Sequence, residues 1–264
     1  MKKIRKIFSI VVKSEDKCYN NFIIVLRTVE KMISVIMAVY KGDKNIRAQL
    51  LSVLSQLGFG DEVIVSDDKP GGITERIVKQ VAAEDSRVIW VEGKNKGTTA
   101  NIVNAVRHCK GDKIFFCDCK DVWLPDKVKR VMDAFESGAD LVVHNAYITD
   151  QDLNITEYSF FEKYGVTKNI PVNIWKNTFL LSCMAVDRKI LKKVMPIPRS
   201  IPVGSQWIGI IATVYGKVKF VDIPLMYCRV TKSKNSAFEY SFRGDGKGRA
   251  ALISKLYKRI VSGN

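Results

Sequence analysis

Two short acidic clusters stand directly after apolar runs of the chain. Asp67 and Asp68 end the stretch VSDD, and Asp118 and Asp121 belong to the stretch CDCKD. Carboxylates at the carboxyl ends of buried strands can accept hydrogen bonds from the base or ribose of a nucleoside. They can also hold a divalent cation against a diphosphate. A lone acidic pair is as often a turn or a helix cap, but two clusters on one sheet favour a ligand site.

A lysine interrupts the second cluster, because Lys120 lies between Asp118 and Asp121. On one interpretation Lys120 belongs to a nucleotide site, where its ammonium group replaces a metal by neutralising a diphosphate as a point charge. On the other interpretation, Lys120 is a solvated side chain at the rim of a site that no longer has to catalyse a reaction. The second interpretation is favoured, because one lysine supplies only part of the electrostatic stabilisation that such a reaction needs.

The histidines and cysteines give weaker signals. His144 could serve an acceptor site, but a hydrogen-bonded histidine at a sheet edge is favoured. The six cysteines have no paired C-x-x-C spacing, which argues against a zinc site and predicts buried thiols in a reducing compartment. These cysteines are Cys18, Cys109, Cys117, Cys119, Cys183 and Cys228.

Strands and helices alternate with short connections from Met32 onward, which predicts an α/β fold with a mostly parallel central sheet flanked by helices. The first strand, 33–40, is a continuous apolar run ended by Gly42, as in strands that are buried on both faces. Asp43 is predicted to cap the helix that follows. No G-x-G-x-x-G or P-loop motif follows this strand, which argues against those two folds. Further strands are predicted at 61–68, 87–93, 112–116, 140–150, 217–222 and 225–230.

Charge and composition limit the partners of the protein. The 264 residues carry a net charge of +16, with 47% apolar and 27% charged residues, which indicates a globular protein with an acidic partner. Nucleic acid is excluded as that partner, because the basic residues are dispersed and no recognition motif is present. A phosphorylated small molecule and an anionic membrane surface remain. No apolar run approaches the roughly 18 residues that a membrane span needs.

Both ends of the chain look different from its middle. Residues 1–31 are predicted to be a basic extension outside the main domain, because the short apolar run 7–12 lacks the features of a signal peptide. Residues 241–264 are predicted to be a basic amphipathic segment. Its apolar stripe either lies on an anionic membrane or packs onto the domain, and both alternatives stay open. The stripe consists of Ile253, Leu256, Tyr257 and Ile260.

The chain between Ile33 and Ser236 resembles the family 2 glycosyltransferases, in order and almost without gaps. It is most similar to the bacterial rhamnosyltransferase-like enzymes that build surface polysaccharide. The segments that carry the resemblance are ISVIMAVYKGDKNIRAQLLSVLSQ, DEVIVSDD, NKGTTANIVNAVRHCKGDKIFFCDCKDVWLPDKV, SCMAVDR, GSQWIGIIATVYGKVKFVDIPLMYCR and NSA.

The resemblance implies a GT-A fold over residues 32–240, with a nucleotide-binding half, 32–122, and an acceptor-side half, 123–240, which contains a smaller mixed region. It also implies a nucleotide-diphosphate sugar donor, commonly with Mg²⁺ or Mn²⁺. At the donor site, the resemblance implies that Val39 and Tyr40 line the nucleoside pocket and that Asp68 faces the base or ribose. Asp67 is expected to be a further nucleotide-binding residue. Asp118 is expected to be the first carboxylate of the D-x-D motif, beside the ribose and the metal.

The chain departs from the family at the positions that carry chemistry. Lys120 stands where relatives have the second D-x-D carboxylate, which makes a bound metal doubtful. Gly204 and Ser205 stand where relatives read H-D, with the aspartate as the presumed base, and serine is a poor general base. We assign the remaining catalytic positions to Asp121 and Ser205. The chain keeps the family's residues that maintain the fold but differs from the family at the residues that carry out the chemistry. This pattern predicts weakened activity.

The resemblance therefore predicts transfer of a sugar from a nucleotide-diphosphate donor to a surface glycan or a lipid-linked acceptor. It implies a cytoplasmic protein, with peripheral attachment to the inner face of the plasma membrane left open. The alternative from another class is a non-catalytic subunit that binds a nucleotide or a partner transferase. A nucleotidyltransferase is disfavoured, because no glycine-rich, lysine-bearing loop follows the first strand.

Overall fold

The computed structural model describes residues 31–42, 44–201, 203–230 and 246–261. Apart from Lys31, these residues belong to a unit that begins at Met32. The predicted extension 1–31 lies outside the described residues except for Lys31. Cys18 and the predicted helix cap Asp43 also lie outside them.

Four parallel strands, β1 to β4, make up the first half of the sheet. They stand in the order β3-β2-β1-β4, and three helices, α1 to α3, connect them. All six side chains of β2 and all five of β4 are buried, because helices cover both faces of such a sheet. The bounds are β1 Ile33–Val39, α1 Ile46–Leu54, β2 Glu62–Asp67, α2 Ile73–Glu84, β3 Val88–Glu92, α3 Thr98–His108 and β4 Lys113–Cys117.

The second half adds shorter and more varied elements. Its strands are β5 Val122–Trp123, β6 Leu141–Thr149, β7 Ile155–Glu157, β8 Met184–Asp187 and β9 Val218–Arg229. Its helices are α4 Lys127–Glu136, α5 Phe160–Tyr164, α6 Ile170–Trp175, α7 Arg188–Val194, α8 Gly204–Tyr215 and α9 Gly246–Val261, with a 3-10 turn at Leu181–Cys183.

Within the described residues all nine strands form one sheet, in which β4 is followed by β8, β6, β9 and β5, and β7 pairs with β6. β8 is antiparallel to β4 and β6, whereas β6 and β9 are parallel. Lys113 fixes the join between the two halves, because its buried ammonium group pairs with Asp187 across β4 and β8. The α/β fold with a mostly parallel sheet and a mixed second region agrees with the prediction.

Two details differ from the sequence analysis. The segments predicted as separate strands, 217–222 and 225–230, form the single strand β9, which pairs along the whole of β6 and shifts register opposite His144 and Asn145. The shift lies beside Pro224, which has no N–H for the ladder. His144 is not at a sheet edge: it is buried in β6 between β8 and β9, and its Nδ1 is 2.7 Å from the carbonyl oxygen of Asn145.

The prediction of buried thiols agrees with the structure. The five described cysteines are all buried and unpaired, as expected of thiols that serve as small core residues. No helix among the described residues is both long enough and apolar enough to cross a membrane.

Candidate active site

The ends of β1 and β2 place the first acidic cluster. Val39 lies opposite Asp67 in the parallel ladder, and the amide of Asp68 donates to the carbonyl oxygen of Val39 at 2.9 Å. Tyr40 follows at the end of β1 with a side chain that is 57% exposed. The structure therefore brings together four of the residues predicted to bind a nucleotide.

Asp67 and Asp68 are both buried but have different hydrogen-bond partners. Asp67 is fully buried, and its Oδ1 accepts from the amide of Lys69 at 2.9 Å, which makes it a turn residue. Burial raises the pKa of Asp67. The carboxylate of Asp68 instead accepts from the amide of Asn95 at 3.0 Å, in the loop after β3. A side chain at Gly93 would overlap Asp68, so this glycine permits the close approach.

Two buried asparagines of α3 hold these strand ends in place. Asn101 donates through Nδ2 to the carbonyl oxygens of Val39 at 3.1 Å and Ser66 at 2.9 Å. Asn104 donates to the hydroxyl of Ser66 at 2.9 Å and to the carbonyl oxygen of Glu92 at 3.0 Å. The ends of three adjacent strands are thus fixed from one helix. Sequence reasoning missed this role, although the polar pair at spacing i, i+3 on a buried helix face was a usable signal.

The loop after β4 carries the second cluster and packs against the loop after β1. A Cβ atom at Gly42 would lie 2.9 Å from Sγ of Cys119 and 2.6 Å from Cγ1 of Val39, closer than real Cβ contacts. Asp118 and Lys120 are exposed, and the amide of Lys120 donates to Oδ1 of Asp118 at 2.9 Å. Since β4 is two strand spacings from β2, the backbones of Asp118 and Asp68 stand roughly 10 Å apart.

Asp121 turns away from solvent. It is 2% exposed, and its Oδ1 accepts from the amide of Arg229 at 3.2 Å. Burial raises the pKa of Asp121, with the nearby Asp118 carboxylate adding to the effect. Arg229 also donates through its guanidinium group to the carbonyl oxygens of Lys120 and Gln151. Arg229 therefore anchors this loop, a role that its sequence position did not reveal.

Exposed lysines surround the acidic residues. Each loop that leaves the carboxyl end of a parallel strand carries at least one of them. This lysine rim consists of Lys41 and Lys44 after β1, Lys69 after β2, Lys94 and Lys96 after β3, and Lys120 after β4. Ammonium groups attract phosphate as point charges, so the rim suits an anionic ligand.

Ser205 lies at the start of α8, which contacts α3. Its neighbour Gly204 is close to Thr99, in the first turn of α3 at the same end of the sheet. Ser205 is 5% exposed, and its hydroxyl accepts from Nδ2 of Asn177 at 3.2 Å. Its hydroxyl thus has a structural partner in Asn177.

The side chains after β4 do not fit a resident divalent cation. Among the described residues no group of three or more His, Cys, Asp or Glu side chains could hold a metal. Asp118 alone offers an exposed carboxylate, and the ammonium group of Lys120 follows two residues later. Hard cations need several oxygen ligands and little positive charge nearby. We therefore assign no chemical step to a metal.

Comparisons with known proteins identify the family. The model of glycosyl transferase family 2 matches residues 34–195, more than half of the chain. The chain is 24% identical over 233 residues to an uncharacterized glycosyltransferase of Nostoc, covering 83% of the chain and 72% of that relative. It is 29% identical over 99 residues to the Escherichia coli β-1,3-glucosyltransferase WfgD, named for UDP-Glc and α-D-GlcNAc-diphosphoundecaprenol, covering 37% of the chain and 38% of WfgD.

Solved structures share the fold at lower identity. The 1–349 fragment of Staphylococcus aureus TarS in complex with UDP-GlcNAc superposes with a TM-score of 0.62 at 15% identity, over 88% of the chain and 73% of that fragment. The mannosyltransferase PcManGT of Pyrobaculum calidifontis, in complex with GDP-Man and Mn²⁺, gives 0.61 at 17% identity, over 87% and 70%. The strand order, the acidic strand ends and the match over residues 34–195 agree: the chain belongs to glycosyl transferase family 2 and has a GT-A fold.

Proposed function

We propose that the protein transfers a sugar from a nucleotide-diphosphate sugar to a surface glycan or a lipid-linked acceptor. Its activity is weakened by the residues at two positions, Lys120 and Ser205. The observation that carries the proposal is the placement of Asp68 and Asp118 at the carboxyl ends of parallel strands on either side of β1. Ligands of open α/β sheets bind at this edge, and the family uses such donors.

Binding of the donor is assigned to the strand ends and the lysine rim. Val39 and Tyr40 line the nucleoside pocket, and Asp68 accepts hydrogen bonds from the base or ribose. Asp67 supports this region as a buried turn residue. Asp118 lies beside the ribose, and Lys120, with the other rim lysines, neutralises the diphosphate. Preorganised positive charge of this kind stabilises a leaving nucleoside diphosphate as its negative charge develops.

The acceptor hydroxyl must lose a proton, and the chain offers little for that step. Ser205 is a weak base and is engaged by Asn177. Asp121 holds a proton more readily than an ordinary aspartate, but it is buried behind the loop. Slow transfer is the expected result, because general base catalysis typically adds a factor of about 10² to 10⁴.

The acceptor and the location are further parts of the proposal. WfgD is named for a diphosphoundecaprenol acceptor, which supports a lipid-linked substrate here, although the match covers 38% of that protein. A lipid-linked acceptor implies a cytoplasmic protein at the inner face of the plasma membrane. The structure of PcManGT contains Mn²⁺, but the single exposed carboxylate beside Lys120 gives this protein a low affinity for Mg²⁺ or Mn²⁺.

Calorimetric titration with a panel of nucleoside diphosphates, with and without Mn²⁺, tests the proposal. Asp68→Ala should weaken binding of the preferred nucleotide by about 1–3 kcal/mol, because it leaves hydrogen-bond donors unsatisfied. Asp133→Ala, which removes an exposed carboxylate from α4, is the matched control and should bind normally. If the unmodified protein binds no nucleoside diphosphate, the proposal is wrong. Binding without any donor turnover would instead point to the non-catalytic alternative.

A further inference from the structure

The last described helix, α9, carries an apolar stripe on its solvent side. Leu252 and Leu256 are buried against the domain. Ile253, Tyr257 and Val261 recur at every fourth position and are 53%, 65% and 63% exposed. At about 100° per residue these three side chains form one continuous stripe. A helix that only packs onto its domain would carry polar residues there.

The helix is held firmly in this orientation. Arg259 donates to the carbonyl oxygens of Lys193 at 2.7 Å and Pro196 at 2.9 Å. The hydroxyl of Tyr215 donates to the carbonyl oxygen of Arg259 at 3.1 Å. At the other end Arg249 donates to the carbonyl oxygen of Trp175 at 3.1 Å and lies 4.3 Å from the centre of its indole ring. The exposed stripe is therefore a fixed surface.

The neighbouring helix α6 enlarges this surface. Trp175 is 69% exposed and Val172 is 42% exposed, and α6 contacts α9. We call the combined apolar surface the α9 face. It consists of Val172, Trp175, Ile253, Tyr257, Ile260 and Val261.

Basic residues predominate in two segments of the chain, which include the two helices that form the α9 face. Residues 163–221, which include α6, α7 and α8, hold ten basic side chains and one acidic side chain, Asp187. Residues 246–261 hold five basic side chains and no acidic one. These two segments thus carry a net charge of +14 out of the +16 of the chain. Lys255 and Lys258 stand on α9 itself.

We propose that the α9 face docks onto an anionic lipid bilayer. Apolar and aromatic side chains enter the boundary between headgroups and acyl chains, and the surrounding lysines bind acidic headgroups. A second copy of the chain fits less well, because a symmetric contact would bring two strongly positive regions together. The inference goes beyond the proposed transfer reaction and does not depend on it, since docking needs neither donor nor acceptor.

Co-sedimentation of the full chain with vesicles tests the proposal. The vesicles contain phosphatidylcholine alone or an equimolar mixture of phosphatidylcholine and phosphatidylglycerol. The protein should bind the mixed vesicles, less so as salt increases, and should not bind the neutral ones. The double variant Ile253→Ser, Tyr257→Ser should bind at least about tenfold more weakly. Phe59→Ser, at a fully exposed phenylalanine remote in sequence, is the matched control and should bind normally.

The electrostatic part has its own matched pair. Lys258→Glu on α9 should weaken binding by more than roughly fivefold, since each basic residue near an anionic surface has about that effect. Lys129→Glu, at an exposed lysine of α4, should bind nearly as well as the unmodified protein. Circular dichroism checks that every variant keeps its fold.

A second measurement does not depend on those substitutions. Brominated lipid in the mixed vesicles should quench the fluorescence of Trp175, and Trp175→Phe should remove that part of the quenching. Failure of the full chain to bind mixed vesicles would overturn the proposal. Unchanged binding of the double serine variant would also overturn it and would assign binding to another part, such as residues 1–31. A concentration-dependent dimer that the serine substitutions dissociate would show that a second copy covers the face.

Discussion

Lys120 sets the electrostatic character of the loop that follows β4. Its side chain is exposed next to the one exposed carboxylate of that loop, Asp118. Lys120→Asp changes the local charge by two units and supplies a second carboxylate, which is the usual requirement for Mg²⁺ or Mn²⁺ beside a diphosphate. Mn²⁺ should then strengthen nucleoside diphosphate binding by about tenfold or more in the variant and have little effect on the unmodified protein. Titration calorimetry with and without Mn²⁺ measures this.

The control for Lys120→Asp is Lys94→Asp, which removes a different lysine of the rim and should gain no metal dependence. Full turnover should still need a base, so Lys120→Asp with Ser205→Asp is the stronger test of transfer. Rapid donor turnover by the unmodified protein that EDTA abolishes would refute the weakened-site interpretation.

The pKa of Asp121 predicts a pH dependence of stability. Burial raises this pKa, so the folded protein keeps a proton on Asp121 that the unfolded chain, with a pKa near 3.9, has lost. The stabilisation is fully present below about pH 4 and is lost as the pH rises to the raised pKa. Relative to Asp121→Asn, the free energy of unfolding should therefore fall with pH, by at most about 1.4 kcal/mol per pH unit. Urea unfolding from pH 4.5 to 8 checks this.

Another buried group in the same region must be separated from Asp121. Burial lowers the pKa of Lys127 to about 8. This group therefore increases the free energy of unfolding as the pH rises from about 8 toward 10.5. That pH range lies above the range of the urea measurement. Lys127 is also present in both proteins, the unmodified protein and Asp121→Asn. A difference between the two proteins that stays constant with pH would contradict the assignment. Asp133→Asn serves as the surface control.

The role of a single residue could be predicted from the sequence where that role depends on neighbouring residues in the chain. Asp68 and Asp118 could be placed at the sheet edge because each lies shortly after the end of an apolar run. The roles of Asn101 and Arg229 could not, because each depends on a backbone group far away in sequence. Asn101 bonds to Val39 across 62 positions, and Arg229 bonds to Asp121 across 108.

At the scale of elements, the contact between the loops after β1 and β4 positions the two halves of the donor site. Gly42→Ala should destabilise the protein by about 1–3 kcal/mol, because its methyl group would collide with Val39 and Cys119 and overpacking costs about that much. Gly60→Ala is the matched control, since nothing lies within 4 Å of its added Cβ atom. Denaturant unfolding measures both. Equal stability of the two variants would show that the loops relax freely.

Elements were predictable in the first half of the chain and less so in the second. β1 to β4 are continuous apolar runs separated by amphipathic helices, so local pattern and tertiary position agree. β9 was predicted as two strands because Ile223 and Pro224 interrupt its pattern, yet pairing with the long strand β6 keeps it continuous. For α9 both alternatives had a basis: Leu252 and Leu256 pack onto the domain, while Ile253 and Tyr257 face solvent.

At the scale of the whole molecule, the fold followed from the alternation of strands and helices, whereas the distribution of charge needed the structure. The sequence shows +16 overall with basic residues dispersed along it. Folding collects some lysines into the rim at the sheet edge and brings the helices α6 and α9 into contact at the α9 face. Dispersal in sequence therefore does not imply dispersal in space, because helices distant in sequence share a surface.

The folded unit is predicted to be independent of residues 1–31. Met32 is the first residue with a structural role in the described unit, because its carbonyl oxygen accepts from the amides of Asp112 at 2.6 Å and Lys113 at 3.2 Å. Ile33 then begins the buried core. A chain that starts at Met32 should therefore melt within a few degrees of the full chain, which corresponds to a change of at most about 1–2 kcal/mol for a protein of this size.

A chain that starts at Val35 is the contrasting control: it loses Met32 and two residues of β1, and it should melt far lower or fail to fold. Thermal unfolding followed by circular dichroism compares the three chains. If removal of 1–31 alone causes a large loss of stability or of yield, the extension packs into the domain and the predicted boundary at Met32 is wrong.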